Sequence, residues 1–261
     1  MSVFGNIMKS LVVAGSVALT TAAVTSVASA DELDMLKEKG VMRIAMTGAY
    51  PPFNFVSETN EVVGFDPAIG TEIAKRMGLE VEIVTTAWDG IIGGLLANKY
   101  DAIVGSMSIT DERKEVVDFV GPYYSTMRAI FTLSGSEITS VSQLGDIKIG
   151  VTLGETHEQW AREQGYTVKT YKGLPELLLE LENGRVDAII GDSIAVILAA
   201  KASERDLAQI TDLVTDSVGA GIAIRKGNPA LHAAMQEALD ALQADGTYVT
   251  IANKWVGGDI R

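Results

Sequence analysis

The side chains best suited to recognition chemistry in this 261-residue chain stand just beyond short apolar runs. Arg113 follows Gly105-Ser106-Met107-Ser108-Ile109-Thr110, where Thr110 reads as a helix N-cap and puts the guanidinium in the first helical turn. A cation there opposes the helix dipole, at a cost of roughly 0.3 kcal/mol or more unless an anion partners it. That anion is either Glu112 or Glu115 on the surface, or a ligand carboxylate, which a planar guanidinium grips through two parallel hydrogen bonds. Ser106 and Ser108 could add hydroxyl or backbone donors. Asp192 occupies the equivalent place in a second stretch of the chain. It either caps the helix opening at Ser193 or receives an ammonium group. Tyr50, Phe53 and Trp88 also follow apolar runs, in a chain only 6% aromatic. They are either core residues or faces that sandwich an apolar or cationic group.

Other chemistries are poorly supplied. The chain has no Cys, and its two histidines, His157 and His232, are far apart in sequence, so neither a thiolate nor a histidine-rich metal site is expected. No GxSxG, P-loop or GxGxxG pattern occurs. No cofactor and no metal is expected, and His157 reads as a satisfied surface or cleft histidine.

The elements that must hold these residues alternate in period. Strand-like Met42 to Met46, Val81 to Val84 and Ala102 to Val104 interleave with helical Pro67 to Met77 and Gly90 to Leu96, with Asp66 a plausible N-cap before Pro67. The pattern restarts with strands Ile147 to Val151, Thr167 to Tyr171 and Ala188 to Ile190, and helices His157 to Gln164 and Leu174 to Leu181. This alternation is that of α/β units with mostly parallel sheets. Two units are supported by a repeat: LLANKYDAIVGS from Leu95 and LENGRVDAIIGD from Leu181 match in register at an offset of 86 residues. Arg43 to Thr47 and Lys148 to Thr152 form a second similar pair. Ligands of open α/β sheets bind beyond the carboxyl ends of strands. The loops to inspect are therefore Thr47 to Tyr50, Gly105 to Ser108, Thr152 to Thr156 and Gly191 to Ser193. The units join near Tyr123 to Ile130, after the turn signal Gly121-Pro122. The second unit ends near Gly219-Ala220-Gly221, and Ile222 to Ile224 reads as a strand rejoining the first sheet, which makes two crossings and a hinge candidate. The last segment, from Pro229, is a packing helix.

Composition narrows the partners. With 34 Asp+Glu against 21 Lys+Arg the formal charge is −13, and no basic stripe interrupts it, so nucleic acid is not an expected partner. Residues 1–30 hold one charged side chain, Lys9, an apolar run from Leu11 to Val24 and the small residues Ala28-Ser29-Ala30. That is the form of a secretory signal peptide, with the exported protein starting at Asp31. The run is too short and too interrupted for a membrane span.

Taken in order, Tyr50-Pro51-Pro52-Phe53, Val63-Gly64-Phe65-Asp66, Trp88-Asp89-Gly90, Tyr100-Asp101-Ala102-Ile103, Ser106-Met107-Ser108-Ile109-Thr110, Arg113, Val117-Asp118-Phe119 and Pro122-Tyr123-Tyr124 resemble the motifs of a family. It is that of the periplasmic polar amino-acid-binding proteins of ABC transporters, extracellular solute-binding protein family 3. The resemblance spans essentially all of the chain after the export segment. It implies a periplasmic protein with two lobes, built from residues 31–124 with 219–261 and from 125–218. The lobes close on a free amino acid, which the protein hands to a membrane permease; a monomer is expected. By position, Arg113 would hold the α-carboxylate with Ser108 and Thr156. Ser106 and Asp192 would hold the α-ammonium, and Tyr50, Phe53 and Trp88 would line the side-chain pocket.

Two departures bear on the ligand. Members that bind cationic side chains often carry an acid where Thr47 stands, and the common Gly-Thr-Thr loop here reads Gly154-Glu155-Thr156. Glu155 either faces solvent or supplies the charge that Thr47 lacks. With Tyr50 and Trp88 read as a cation sandwich, the expectation leans to a basic or other polar amino acid, and an acidic one is less expected because no spare Lys or Arg follows these strands. The fold also serves periplasmic cyclohexadienyl dehydratases, in which reading Glu155 or His157 would be a general acid. A solute sensor presenting its closed form to a receptor is a further alternative.

Overall fold

The computed structural model describes residues 31–213 and 215–261, so the expected export segment lies outside the described residues. Helix α1 (Glu32–Lys39) leads to β1 (Val41–Met46), a hairpin sheet of β2 (Ala49–Tyr50), β3 (Asn54–Val56) and β4 (Val62–Val63), then α2 (Phe65–Arg76), β5 (Glu80–Thr85), α3 (Ile91–Leu96), β6 (Ala102–Ser108) and α4 (Asp111–Val116). The long strand β7 (Val117–Leu133) carries the chain into the second unit. That unit holds β8 (Lys148–Thr152), α5 (Thr156–Glu163), β9 (Thr167–Tyr171), α6 (Leu174–Glu182), β10 (Ala188–Asp192), α7 (Ser193–Ala202) and β11 (Leu207–Ile210). Strand β12 (Ser217–Arg225) returns, followed by α8 (Pro229–Ala244) and α9 (Thr247–Trp255).

The strands run in the order β5-β1-β6-β12-β7-β10-β8-β9, with β11 also paired to β7. β1 pairs in parallel with β5 and β6, and β8 in parallel with β9 and β10, whereas every pairing of β7 and β12 is antiparallel. This is the expected α/β architecture. Its near-continuous apolar strands are buried on both faces because helices cover both. In α2, Phe65, Ile69 and Ile73 are fully buried, each burial stabilising by roughly 1.5–3 kcal/mol.

The sequence repeat has a physical counterpart. In the first unit Asp101 accepts from the backbone N–H of Arg43 at 2.8 Å. In the second, Asp187 accepts from the backbone N–H of Lys148 at 2.8 Å. Each aspartate thus ties the start of one strand, β6 or β10, to the first residues of its parallel neighbour, β1 or β8. The same device orients both strands so that their carboxyl ends, at Ser106 to Ser108 and at Asp192, reach one cleft.

Two sequence expectations about the crossings are corrected. Gly121-Pro122 is not a turn between units but lies inside β7, where its neighbours pair with β12. The returning strand does not begin at Ile222: Gly219 and Gly221 already lie within β12. A Cβ on Gly219 would stand 2.7 Å from Pro122 Cβ, so the position serves close strand packing. The expected lobe divisions at 124/125 and 218/219 fall within these same two strands.

A third correction concerns Asp66. The cap of α2 is Gly64, and Asp66 is inside the helix with its carboxylate fully buried. It accepts from Asn54 Nδ2 at 2.6 Å, Tyr123 OH at 2.7 Å and Ser106 Oγ at 2.9 Å. Gly64 makes this corner possible: its φ is 134°, and a Cβ there would lie 2.3 Å from the Phe53 carbonyl oxygen. Burial pushes the Asp66 pKa up from 3.8 to about 6, although the Tyr123, Asn54 and Ser106 hydrogen bonds pull the other way.

Two outcomes follow for stability. Gly64→Ala should cost at least ~2 kcal/mol, through strain and a backbone clash that cannot relax locally, seen as a lower urea midpoint at unchanged slope. For Asp66, a raised folded pKa means that the native state binds more protons than the unfolded chain between about pH 4 and 6, so its contribution is lost as pH rises through that window. The stability of wild type relative to Asp66→Asn should therefore fall by roughly 2.4 kcal/mol between pH 4 and pH 7, measured by urea unfolding; a flat difference would refute the shift.

Candidate functional site

The carboxyl ends of β1, β6, β8, β9 and β10 converge on a cavity between the two units. Thr47, Ser106, Ser108, Thr152, Lys172 and Asp192 line it from those ends. The space open to the centre of a water molecule is only about 20 Å³, and it adjoins a wider groove of about 820 Å³. The units touch around it. Tyr50 OH donates to Asp192 Oδ2 at 2.5 Å, and Trp88 Nε1 donates to the Gly154 carbonyl at 3.2 Å.

Arg113 and Asp192 supply opposite charges to this cavity. Thr110 caps α4 as expected, accepting from the Arg113 backbone N–H at 3.2 Å. The Arg113 side chain forms no ion pair with Glu112 or Glu115. One of its N–H groups donates to the Ser108 carbonyl at 2.9 Å, and its guanidinium carbon sits 5.5 Å from the Trp88 ring centroid. Burial lowers its pKa, against the favourable fields of Glu155, Glu112 and Asp192, but a guanidinium remains charged at any ordinary pH. Its other N–H groups are therefore free to receive an anion. Asp192 occupies the N-cap position of α7 yet makes no side-chain cap bond. Its carboxylate instead takes the Tyr50 hydroxyl and faces His157 Nε2 at 3.4 Å. Burial alone would raise its pKa, but His157, the Tyr50 hydrogen bond and the nearby Arg128 charge hold it below the ordinary 3.8.

The proton positions follow from Arg128, which pairs with Asp192 across β7 and β10. Arg128 Nε can only donate, so His157 Nδ1 is the acceptor at 3.3 Å and the ring proton stands on Nε2, toward Asp192. His157 is thus a buried positioning residue for the acid rather than a solvent-exposed one.

Five expected site residues make contacts that the sequence alone does not foresee, and one of them, Phe53, lies outside the cavity. Phe53 does not line the cavity; it is fully buried and stacked on Tyr124 at a centroid distance of 4.9 Å. Ser106 does line it, but its hydroxyl proton is spent on Asp66, leaving oxygen lone pairs for an incoming donor. Its backbone sits in the left-handed region at φ 59°, held by a 2.8 Å hydrogen bond from its N–H to Tyr123 OH; such strain persists only where the surroundings enforce it. Thr47 borders the cavity with its hydroxyl donating to Asn54 Oδ1 at 2.9 Å. Finally, Tyr50 and Trp88 do not form an open sandwich, because Arg113 already covers the Trp88 ring and the Tyr50 hydroxyl is bound to Asp192.

Ser108, Thr156 and Glu155 also line the cavity. Glu155 precedes α5 without capping it. Although part of the residue is solvent-accessible, burial pushes its carboxyl up to about 7; Asp192 adds to this, while His157, Arg113 and a hydrogen bond with Thr152 oppose it. Sequence reasoning missed Lys172 and Gly173. They follow β9, a fifth strand whose carboxyl end the same rule covers, so the expectation that no cation follows these strands is corrected. Arg128 carried no such signal, since it reaches His157 only through strand pairing. Among the described residues no cluster of three or more His, Asp or Glu could hold a metal, and no helix is long and apolar enough to cross a membrane.

Comparison with known proteins agrees with this architecture. The chain is 34% identical over 253 residues to the L-cystine-binding protein TcyJ of Escherichia coli, covering 94% of this chain and 95% of that one. It is 33% identical to the L-arginine-binding protein of Pseudomonas aeruginosa, covering 97% and 98% respectively. Among solved structures it resembles an ancestral amino acid-binding protein, a precursor of cyclohexadienyl dehydratase, with a TM-score of 0.79 at 34% identity, over 87% of this chain and 100% of that one. The model of the bacterial extracellular solute-binding proteins, family 3, matches residues 42–258. With two α/β units facing each other across a charged cavity and this extent of similarity, the chain belongs to that family.

Proposed function

We propose that this protein is the periplasmic solute-capturing component of an ABC importer, and that it binds a free amino acid by closing its two units around it. The observation that carries the reading is the pair Arg113 and Asp192. They come from different units, carry opposite charges, and border one cavity without being bonded to each other. An amino-acid zwitterion carries the complementary pair. Its carboxylate meets the unpaired N–H groups of Arg113, beside the first turn of α5 at Thr156, where the helix dipole favours an anion. Its ammonium meets Asp192 and the acceptor oxygen of Ser106.

Closure makes these pairings strong. In an open cleft each charge is hydrated and screened; once water is expelled the same contacts act at a lower effective dielectric. The antiparallel pair β7 and β12 forms both connections, so a change in their twist rotates one unit against the other. Tyr50 to Asp192 and Trp88 to Gly154 then latch the closed form. The closed shape is what a membrane permease would recognise, and the relatives' names support cargo of the amino-acid class. The dehydratase alternative is not favoured, since the similar structure is an amino acid-binding precursor.

A thermal-shift screen of the amino acids should identify the cargo, because a ligand at about 100 times its Kd stabilises the folded state by about 2.7 kcal/mol. Calorimetry with that cargo should show Arg113→Ala weakening binding by at least ~100-fold, and Arg113→Lys restoring only part of it, because ammonium lacks the two-pronged geometry. Unchanged affinity in Arg113→Ala would remove the guanidinium from the site.

A further inference from the structure

A histidine beside two acids has every electrostatic reason to take up a second proton, and in this site that proton would do harm. His157, on α5, is buried. The charged and titratable groups around it are Asp192 from β10, Arg128 from β7 and Glu155 from the loop before its own helix. Both acids, when ionised, favour an imidazolium. Standing 3.4 Å from Asp192, an imidazolium would be a resident counter-ion that competes with any incoming ammonium for the same carboxylate.

Arg128 stands in the way of that proton. Its Nε lies 3.3 Å from His157 Nδ1, and a guanidinium has only donors to offer. A hydrogen added to Nδ1 would point at another N–H, and the new charge would form beside an existing one. Three contacts keep Arg128 there: its backbone pairs with that of Asp192, a second N–H group donates to the Thr156 carbonyl at 3.4 Å, and its guanidinium carbon lies 4.9 Å from the Trp160 ring centroid. The acids acting on it are Asp192 and Glu163. Arg128 lines the outer groove and not the inner cavity, so whatever it does for cargo it does through His157.

We propose that Arg128 is a positioning residue for capture: it holds His157 neutral, with the single ring proton on Nε2, and so keeps Asp192 free of a bonded counter-ion. Tyr50 and His157 then each give Asp192 a neutral hydrogen bond, which fixes its direction without cancelling its charge. The benefit to binding rests on Asp192 receiving the α-ammonium as above; the state of the imidazole does not.

The test begins with NMR of isotope-labelled histidine ring nitrogens in the cargo-free protein, any affinity tag removed. The chain has two histidines, so two sets of signals are expected, and His232→Gln tells them apart. Wild-type His157 should show the neutral Nε2–H pattern at pH 7. In Arg128→Gln, whose amide oxygen can accept from an Nδ1–H, the His157 midpoint should rise by at least about one pH unit. Arg128→Lys, again a donor-only cation, should stay near the wild-type midpoint. His232, which donates to the Phe119 carbonyl at 2.9 Å, should keep its signals in every variant and so reports an intact fold. Calorimetry with the cargo found by thermal shift gives the second readout. The affinity of Arg128→Gln relative to wild type should fall at least about fourfold from pH 8 to pH 6, the change set by protonating an imidazole of ordinary pKa. Taking the ratio cancels Glu155, which is present in both proteins. A charged or Nδ1–H His157 in wild type at pH 7, equal midpoints in wild type and Arg128→Gln, or equal midpoints in the Lys and Gln variants overturns the proposal. If the midpoint rises in Arg128→Gln while the relative affinity stays flat, the assignment of the ammonium to Asp192 fails and that of Arg128 stands.

Discussion

A guanidinium and a carboxylate that border the same small cavity without neutralising each other form the constraint around which this molecule is built. Left to themselves in a small cavity, opposite charges collapse into an ion pair. Here each is held back by partners of its own. Arg113 is anchored to the Ser108 carbonyl and lies over Trp88. Asp192 is anchored by Tyr50 and faces His157, which Arg128 in turn orients. The cost of keeping two charges away from bulk water is met by neutral or shared hydrogen bonds that leave part of each group free. A preorganised, half-satisfied pair is what binding a zwitterion requires, because the groups need little rearrangement when the ligand arrives.

The buried polar knot beneath the cavity serves the same end. Asp66 gathers hydrogen bonds from Asn54, Tyr123 and Ser106, and Asn54 in turn takes the Thr47 hydroxyl. Two loops from different strand ends, at Thr47 and at Ser106, are thereby fixed to one buried carboxylate. A site assembled from strand ends alone would drift with the loops. Tying them to an internal acid fixes the first unit's half of the cavity in place.

Much of the scaffold was legible in the chain. Helices and strands were placed to within a few residues wherever apolar periodicity was strong, as in α2, β9 and β10, because burial dictates the same period in sequence and in space. The repeat was legible for a firmer reason: Asp101 and Asp187 perform the same backbone-bridging job, so their neighbours recur in register. The long β7 and the small hairpin sheet were not legible. Gly121-Pro122 carries a turn signature that strand pairing with β12 overrides, and two-residue strands have no period to detect.

Sequence by itself determined which residue types stand at the strand ends, and therefore which loops, those of Ser106, Ser108, Glu155 and Asp192 among them, belong beside a cleft; it left open whether Arg113 and Glu155 turn inward or to the surface. Only the tertiary structure decided what each does there. It turned Asp192 away from its own helix, spent the Ser106 proton on Asp66, sent Phe53 into the core, covered Trp88 with Arg113, and brought in Arg128 and Lys172. The physical reason is that periodicity along a chain reports which face a residue occupies, whereas the partner of a polar group depends on distances between segments far apart in sequence, which packing alone sets.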